Sequence, residues 1–224
     1  DPDECGMSAL DCIYEIMENE VQRRDSNALA RRLKEAKICL PNARPDTIDF
    51  SIERGLDKNK IDALLTMRWM EEHQNIIITG AAGCGKTFLA CALVNQACIK
   101  GRTARVVRVP LLLNQMAASH QIVETYFKKL KEMKTIDLLV LDDWGIGQLD
   151  ARSRQDLLEI INERYMYAST IVTSVLPVNK WSEYINDTTY SDAILDRLVS
   201  VSHRVELNGA SVRQMKEYGA VLKE

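Results

Sequence analysis

Apolar positions along the chain change their period twice, and the changes lay out the expected elements. Over the first forty residues Ile13, Ile16, Met17, Val21, Leu29, Leu33 and Ala36 recur at helical spacing. Asp25 and Ser26 are cap-type residues in the middle of that run, which predicts two short helices, and Pro41 and Pro45 close the unit. Residues 1–40 therefore read as a small helical N-terminal region and 41–50 as a linker. Another helix is expected over 57–72, with Ile61, Leu64, Leu65 and Trp69 on one side. Past residue 75 the pattern becomes short, continuous apolar runs at 76–79, 104–109, 138–142, 171–174 and 203–207. The intervals read as helices, notably 86–100, 154–166 and 191–200. Strands apolar on both faces and separated by helices predict an α/β fold, with a parallel five-stranded sheet flanked by helices on both sides.

Between the first such strand and the helix after it stands Gly80-Ala81-Ala82-Gly83-Cys84-Gly85-Lys86-Thr87, followed by Phe88. The spacing G-x-x-x-x-G-K-T in a strand–loop–helix setting is that of a phosphate-binding loop. Glycines let backbone N–H groups turn inward around phosphate oxygens, and the start of the helix adds its positive dipole end. Lys86 supplies a point charge to the β- and γ-phosphates, and Thr87 offers a hydroxyl to Mg²⁺. A nucleoside triphosphate and Mg²⁺ are the expected ligands.

A second strand, Leu138-Leu139-Val140-Leu141, ends in Asp142 and Asp143. After a phosphate loop, an acid at that place can hold Mg²⁺ or its water, which is the role expected of Asp142. Asp143 is then placed to orient and deprotonate a water attacking the γ-phosphate. A pair of solvated acids capping a strand is the plainer alternative. The strand 171–174 ends in Thr173 and Ser174, whose hydroxyls can reach the γ-phosphate or the water. Arg197 can serve a neighbouring subunit's γ-phosphate, or it can form an ion pair with Asp192 or Asp196 on its own helix.

Length and composition narrow this further. A chain of 224 residues suffices for one large domain, and no apolar run approaches the span of a membrane. Six cysteines without a C-x-x-C pair suggest neither a disulfide framework nor a zinc site, and a reduced cytoplasmic location is expected. Cys84, Cys91 and Cys98 recur every seven residues, which places small residues on the buried face of the helix after the loop. The net charge of −3 is unevenly spread: residues 1–20 carry seven acids and no Lys or Arg, whereas 21–37 carry six basic side chains against two acids. Arg23, Arg24, Arg31 and Arg32, then Arg105 and Arg108, then Lys128 and Lys129 are the candidate DNA contacts. Solvated helix faces have the same look, so charge alone leaves DNA binding open.

With these residues in place the chain resembles the AAA+ ATPases of the DnaA/DnaC branch, and within them the IstB family of insertion-sequence transposition helpers. The resemblance is carried by NIIITGAAGCGKT (75–87), DLLVLDDWG (137–145), DLLEIINERY (156–165), STIVTSVLPVNKW (169–181) and DAILDRLV (192–199). The first two segments are general to the superfamily, and the last three are particular to IstB-like proteins. The resemblance implies a P-loop NTPase domain of AAA+ type over 41–224. It makes Ser174, with Thr173, the sensor of the γ-phosphate, Arg197 an arginine finger acting across a subunit interface, and Arg213 a second sensor that touches nucleotide. It places the base pocket around 48–52 and a DNA-facing extra helix within 110–134. It further implies a bacterial, cytoplasmic ATP hydrolase that forms a ring or spiral homo-oligomer on double-stranded DNA. Such a protein is nucleoid-associated when DNA-bound, binds without sequence preference, and assists the transposase of its element in target selection. A DnaC-type replicative helicase loader is the alternative with the same catalytic residues. Two departures stand out: many AAA+ proteins carry Glu where this chain has Asp143, and no separate lid domain is expected before residue 224.

Overall fold

The computed structural model describes residues 9–209, 211 and 212. Its strands are β1 (Asn75–Gly80), β2 (Ala104–Arg108), β3 (Leu138–Trp144), β4 (Ser169–Ser174) and β5 (Ser202–Leu207). All pair in parallel, in the order β2-β3-β4-β1-β5. The parallel five-stranded sheet expected from the apolar runs is the one observed, and it has the AAA+-type P-loop architecture that the resemblance implies. Registers Thr79↔Ser174 and Arg108↔Asp142 bring the carboxyl ends of four strands to one edge of the sheet. Whatever follows those strands in sequence therefore converges there.

Side chains alternate across each strand, and the two faces bury different helices. Ile76, Ile78, Val106, Leu138, Val140, Ile171 and Val205 pack under α4 (Lys86–Ile99), α2 (Lys58–Leu65) and α3 (Arg68–Glu71). Ile77, Leu139, Leu141, Val172 and Trp144 pack under α5 (Val109–Ser119), α6 (Val123–Thr135), α7 (Ala151–Arg164), α8 (Trp181–Ile185) and α9 (Thr188–Val199). On the second face Trp144 lies against Trp181, ring centroids 5.2 Å apart. Cys84, Cys91 and Cys98 are fully buried, as their seven-residue spacing predicts.

The two-helix reading of the N-terminal region is corrected: Ala9–Glu35 is one continuous helix, α1. Cap-type residues at 25 and 26 do not end it, because neighbouring turns are tied by ion pairs. Glu20 pairs with Arg23 (2.8 Å) and Arg24 (2.7 Å), and Arg31 pairs with Glu35 (3.3 Å). The final turns also dock on the body, with Leu29 and Leu33 packed against the core and the Arg32 Nε–H donating to the Cys98 carbonyl (3.0 Å). Past α1, Ala36, Ala43 and Ile48 enter the same core. The single helix expected over 57–72 is also corrected, because it breaks at Met67, which adopts a left-handed φ of 66°. The break swings Trp69 inward, where its indole N–H donates to the Leu64 carbonyl at 2.8 Å.

Candidate active site

Turn geometry at the end of β1 sets up the site. Gly80 leaves the strand so close to β5 that a Cβ there would lie 2.2 Å from the Leu207 carbonyl oxygen. Gly85, with φ +100°, turns the loop into α4, a conformation that L side chains rarely adopt. Between these turns residues 80–87 wrap around their own interior. The Lys86 ammonium folds back into it and donates to the Gly80 (2.8 Å) and Ala81 (2.7 Å) carbonyls. It is only 9% exposed, a cation held by neutral acceptors and positioned to exchange them for phosphate oxygens.

Thr87, in the first turn of α4, donates its hydroxyl to Asp142 Oδ1 at 2.9 Å, and Thr173 donates to the same oxygen. A Mg²⁺ with oxygens at about 2.0–2.1 Å in an octahedron has adjacent ligand oxygens about 3.0 Å apart. The Thr87–Asp142 pair already has that separation, so these residues fit the ion. Among the described residues no cluster of three or more His, Cys, Asp or Glu side chains is gathered for a metal, and Mg²⁺ needs none, since it keeps several waters.

Asp143 stands one residue further on, with φ +62°, where β3 loses register with β4 between Leu141 and Trp144. Asp143 lines the cavity beyond this irregularity, and its carboxylate accepts from the exposed Arg108 at 2.7 Å. The hydrogen bond to Asp143 raises the pKa of the Arg108 guanidinium above its ordinary value. Of the two hydroxyls ending β4, Thr173 touches Asp142, whereas Ser174 Oγ donates to the Trp144 carbonyl (2.8 Å) and accepts from the Leu176 N–H (3.0 Å).

These groups surround a cavity of about 400 Å³. Lys86, Thr87, Asp143, Thr173 and Ser174 line it together with the apolar Leu40, Ile52, Phe88 and Val212. Of the segment expected to carry a base pocket, Asp49 and Ile52 face the cavity. The strand-end and glycine signals did not reveal Arg54, which also lines it. Buried to 5% exposure, Arg54 donates to the Cys84 (3.3 Å) and Asp49 (3.0 Å) carbonyls, and its burial lowers its pKa. After β5 the chain returns across the loop, where the Val212 N–H donates to the Gly83 carbonyl at 3.0 Å. Arg213 lies outside the described residues.

Arg197 is not in this cavity. It borders a groove of about 170 Å³ at the opposite edge of the sheet, with Glu72, His73, Arg164 and Tyr165. Asn75, the first residue of β1, anchors that corner by donating to the Arg197 carbonyl at 3.1 Å. Its guanidinium lies 5.6 Å from the centre of the Tyr165 ring and donates to the Ala193 carbonyl at 2.7 Å. No ion pair joins it to Asp192 or Asp196 among the described residues.

The basic candidates are scattered and mostly engaged. Arg23, Arg24 and Arg31 pair along α1, Arg32 docks it, and Arg105 pairs with Glu132 at 2.7 Å. Arg108 holds Asp143, Lys129 donates to Gln115 Oε1 (3.1 Å), and Lys128 is exposed on α6. The segment 110–134 forms two helices, α5 and α6.

Comparison with known proteins agrees with the geometry. The family described as IstB-like ATP binding protein matches residues 2–220. An insertion sequence ATP-binding protein of Sinorhizobium fredii is 42% identical over 199 residues, covering 89% of this chain and 80% of its own length. A second from the same organism is 39% identical over 202 residues, covering 90% and 81% respectively. Among solved structures, DnaI superposes with a TM-score of 0.63 at 21% identity, over 81% of this chain and 98% of its own. The DnaC helicase loader superposes with a TM-score of 0.59 at 22% identity, over 75% and 97%. These two likenesses show the fold.

Proposed function

We propose, from the premise that this chain belongs to the IstB-like family of ATP-binding proteins, that it hydrolyses ATP between subunits assembled head to tail on duplex DNA. In that assembly it helps the transposase of its insertion sequence choose and use a target. That it is an insertion-sequence ATP-binding protein of AAA+ type follows from the family and the fold; hydrolysis, DNA and partner are the proposal.

The observation that carries it is the separation of the catalytic groups. Lys86, Thr87, Asp142, Asp143 and Thr173 meet at the carboxyl edge of the sheet, and Arg197 lies at the other end. Strand β1, whose first residue Asn75 touches Arg197 and whose last is Gly80, spans about 17 Å at ~3.3 Å per residue. A side chain cannot cross that, so Arg197 can serve only a neighbour's nucleotide. Repeating such an unlike-faced contact gives a ring or a spiral.

In the bound state Lys86 exchanges its two carbonyl acceptors for β- and γ-phosphate oxygens. Thr87 and Asp142 hold Mg²⁺, which when bound offsets phosphate charge. Thr173, already donating to Asp142, keeps that carboxylate aimed at the site. Asp143 orients the attacking water and accepts its proton once Arg108 lets go. Leu40, Ile52 and Phe88 offer the base an apolar wall. Arg197 from the next subunit stabilises the charge that develops on the transferred phosphoryl group. Arg108 and Lys128, with the arginines of α1 once they leave their acidic partners, supply sequence-independent phosphate contacts to duplex DNA, which makes binding salt-sensitive. Cells holding the protein would show it in the bacterial cytoplasm, concentrated on the nucleoid.

Phosphate release measured with and without duplex DNA tests this. DNA should raise the rate, Lys86→Ala should abolish it, and mixing Arg197→Ala with Lys86→Ala should restore part of it through mixed interfaces. A wild-type rate indifferent to DNA, or mixtures with no more activity than either variant alone, overturns the reading. Capture of a replicative helicase in place of the transposase would turn it to a helicase loader.

A further inference from the structure

Cys39 and Cys91 stand 52 residues apart in sequence, yet their Sγ atoms are 3.6 Å apart. Cys91 is fully buried on α4, four residues after Thr87 and so one turn above it on the same face. Cys39 is exposed on the connector that follows α1, and its neighbour Leu40 lines the nucleotide cavity. Among the described residues no other two cysteines approach within hydrogen-bonding distance. One sulfur is open to solvent and the other is shielded, and both are attached to walls of one cavity.

We propose that this pair is a site of oxidative modification, at which an oxidant of the peroxide class joins Cys39 to Cys91 and ties the connector to the phosphate-loop helix. The exposed Cys39 thiolate attacks one peroxide oxygen, the O–O bond breaks, and Cys39 becomes a sulfenic acid as the first water forms. The Cys91 sulfur then attacks the Cys39 sulfur; an S–S bond forms, the S–O bond breaks, and a second water leaves with the Cys91 proton. Two thiols lose two electrons and two protons, and one peroxide becomes two waters. Exposure sets the order: oxidant reaches Cys39 alone. Burial also pushes the Cys91 thiol up to about 12, so it does not start the reaction, and its sulfur, 3.6 Å from that of Cys39, is the one within reach to resolve the sulfenic acid.

A disulfide needs its sulfurs at about 2.05 Å, so the pair must close by about 1.5 Å. Cys91 is locked between Ala90 and Ala92 in a helix packed on the sheet, all fully buried. The exposed connector must therefore move, and Leu40 moves with it. Oxidation is thereby transmitted to the wall of the cavity. This second half rests on the proposed nucleotide site; the disulfide itself does not.

The test uses the full chain with Cys5→Ser and Cys12→Ser, treated with hydrogen peroxide, alkylated, digested and mapped by mass spectrometry. A peptide linking Cys39 to Cys91, released by dithiothreitol and absent in Cys39→Ser, is the expected result. A fluorescent ATP analogue should bind the oxidised protein several-fold differently from the reduced one, with recovery on reduction. Finding Cys39 carried on to sulfinate while Cys91 is still alkylatable overturns the disulfide. A quantitative link with unchanged analogue affinity overturns the coupling to the cavity. Reduced protein that forms the link but binds no ATP analogue refutes the nucleotide site and leaves the disulfide standing.

Discussion

Replacing Asp142 by asparagine separates the cost of burying this acid from its use. The carboxylate is 4% exposed and receives two hydroxyl donors, Thr87 and Thr173, on one oxygen. No Lys or Arg pairs with it among the described residues. Removing a carboxylate from water costs several kcal/mol in a real protein. Hydrogen bonds to a charged acceptor offset about 1.5–3 kcal/mol each. The two terms nearly cancel and leave a small net penalty. Asparagine keeps an oxygen for both donors and removes the charge. The ligand-free variant should therefore be as stable as wild type, or more stable by about 1 kcal/mol, which is about 2–4 °C in Tm for a domain of this size. Mg-ATP should act in the opposite sense. At a concentration a hundred times Kd, a ligand stabilises by about 2.7 kcal/mol, or about 5–11 °C here. The variant should lose the part of that shift that depends on Mg²⁺. Thermal unfolding without ligand, with ATP and chelator, and with ATP and Mg²⁺ reads both effects. A lower ligand-free Tm together with an undiminished Mg²⁺-dependent shift would show Asp142 to be a structural acid, and the metal assignment would fail.

Arg108→Ala should free Asp143 and raise basal phosphate release several-fold while blunting its response to DNA; an unchanged basal rate in the variant would mean the pair does not restrain the acid. Tyr165→Ala removes the ring beside Arg197, a contact worth about 0.5–1 kcal/mol, so turnover should fall by about two- to fivefold with analogue binding unchanged. An affinity loss equal to the loss in turnover would count against a positioning role. Arg164 is 2% exposed and donates to the Met133, Ile136 and Ser169 carbonyls and to Thr170 Oγ1. Arg164→Met removes the guanidinium donors from three buried carbonyls and a hydroxyl, at about 1–3 kcal/mol each, and should lower stability in urea by at least about 3 kcal/mol. Burial raises Cys91 from 9.0 to about 12 and Cys98 from 9.0 to about 11. Below pH 9 these thiols are neutral in both states. Above it the unfolded chain loses protons first, so stability should decline from about pH 9 toward 11–12. Cys98→Ala should make the decline in the urea midpoint shallower.

The sequence by itself determined the layers, the sheet and the first half of the site. Apolar runs such as Ile76-Ile77-Ile78 and Leu138-Leu139-Val140-Leu141 carry their own burial on both faces, and the glycines of 80–85 encode a turn that few other residues can make. Lys86, Thr87, Asp142 and Asp143 are adjacent to those local signals, so local chemistry was enough to nominate them as candidates. Local signals were insufficient wherever a distant contact outweighed them. Asp25 and Ser26 look like caps, yet ion pairs and docking on α4 carry the helix through them. Nothing near Arg54 indicates that thirty residues later it meets the Cys84 carbonyl. Thr173 and Ser174 are equivalent as a strand end, and only the irregular register of β3 against β4 assigned one hydroxyl to Asp142 and the other to the backbone. Arg197 reads on its helix as a surface charge. Its place at the far edge from the phosphate loop was decided by the parallel pairing of β1 with β4 and β5. That pairing sets loop and arginine a strand's length apart, which no periodicity along the chain can express.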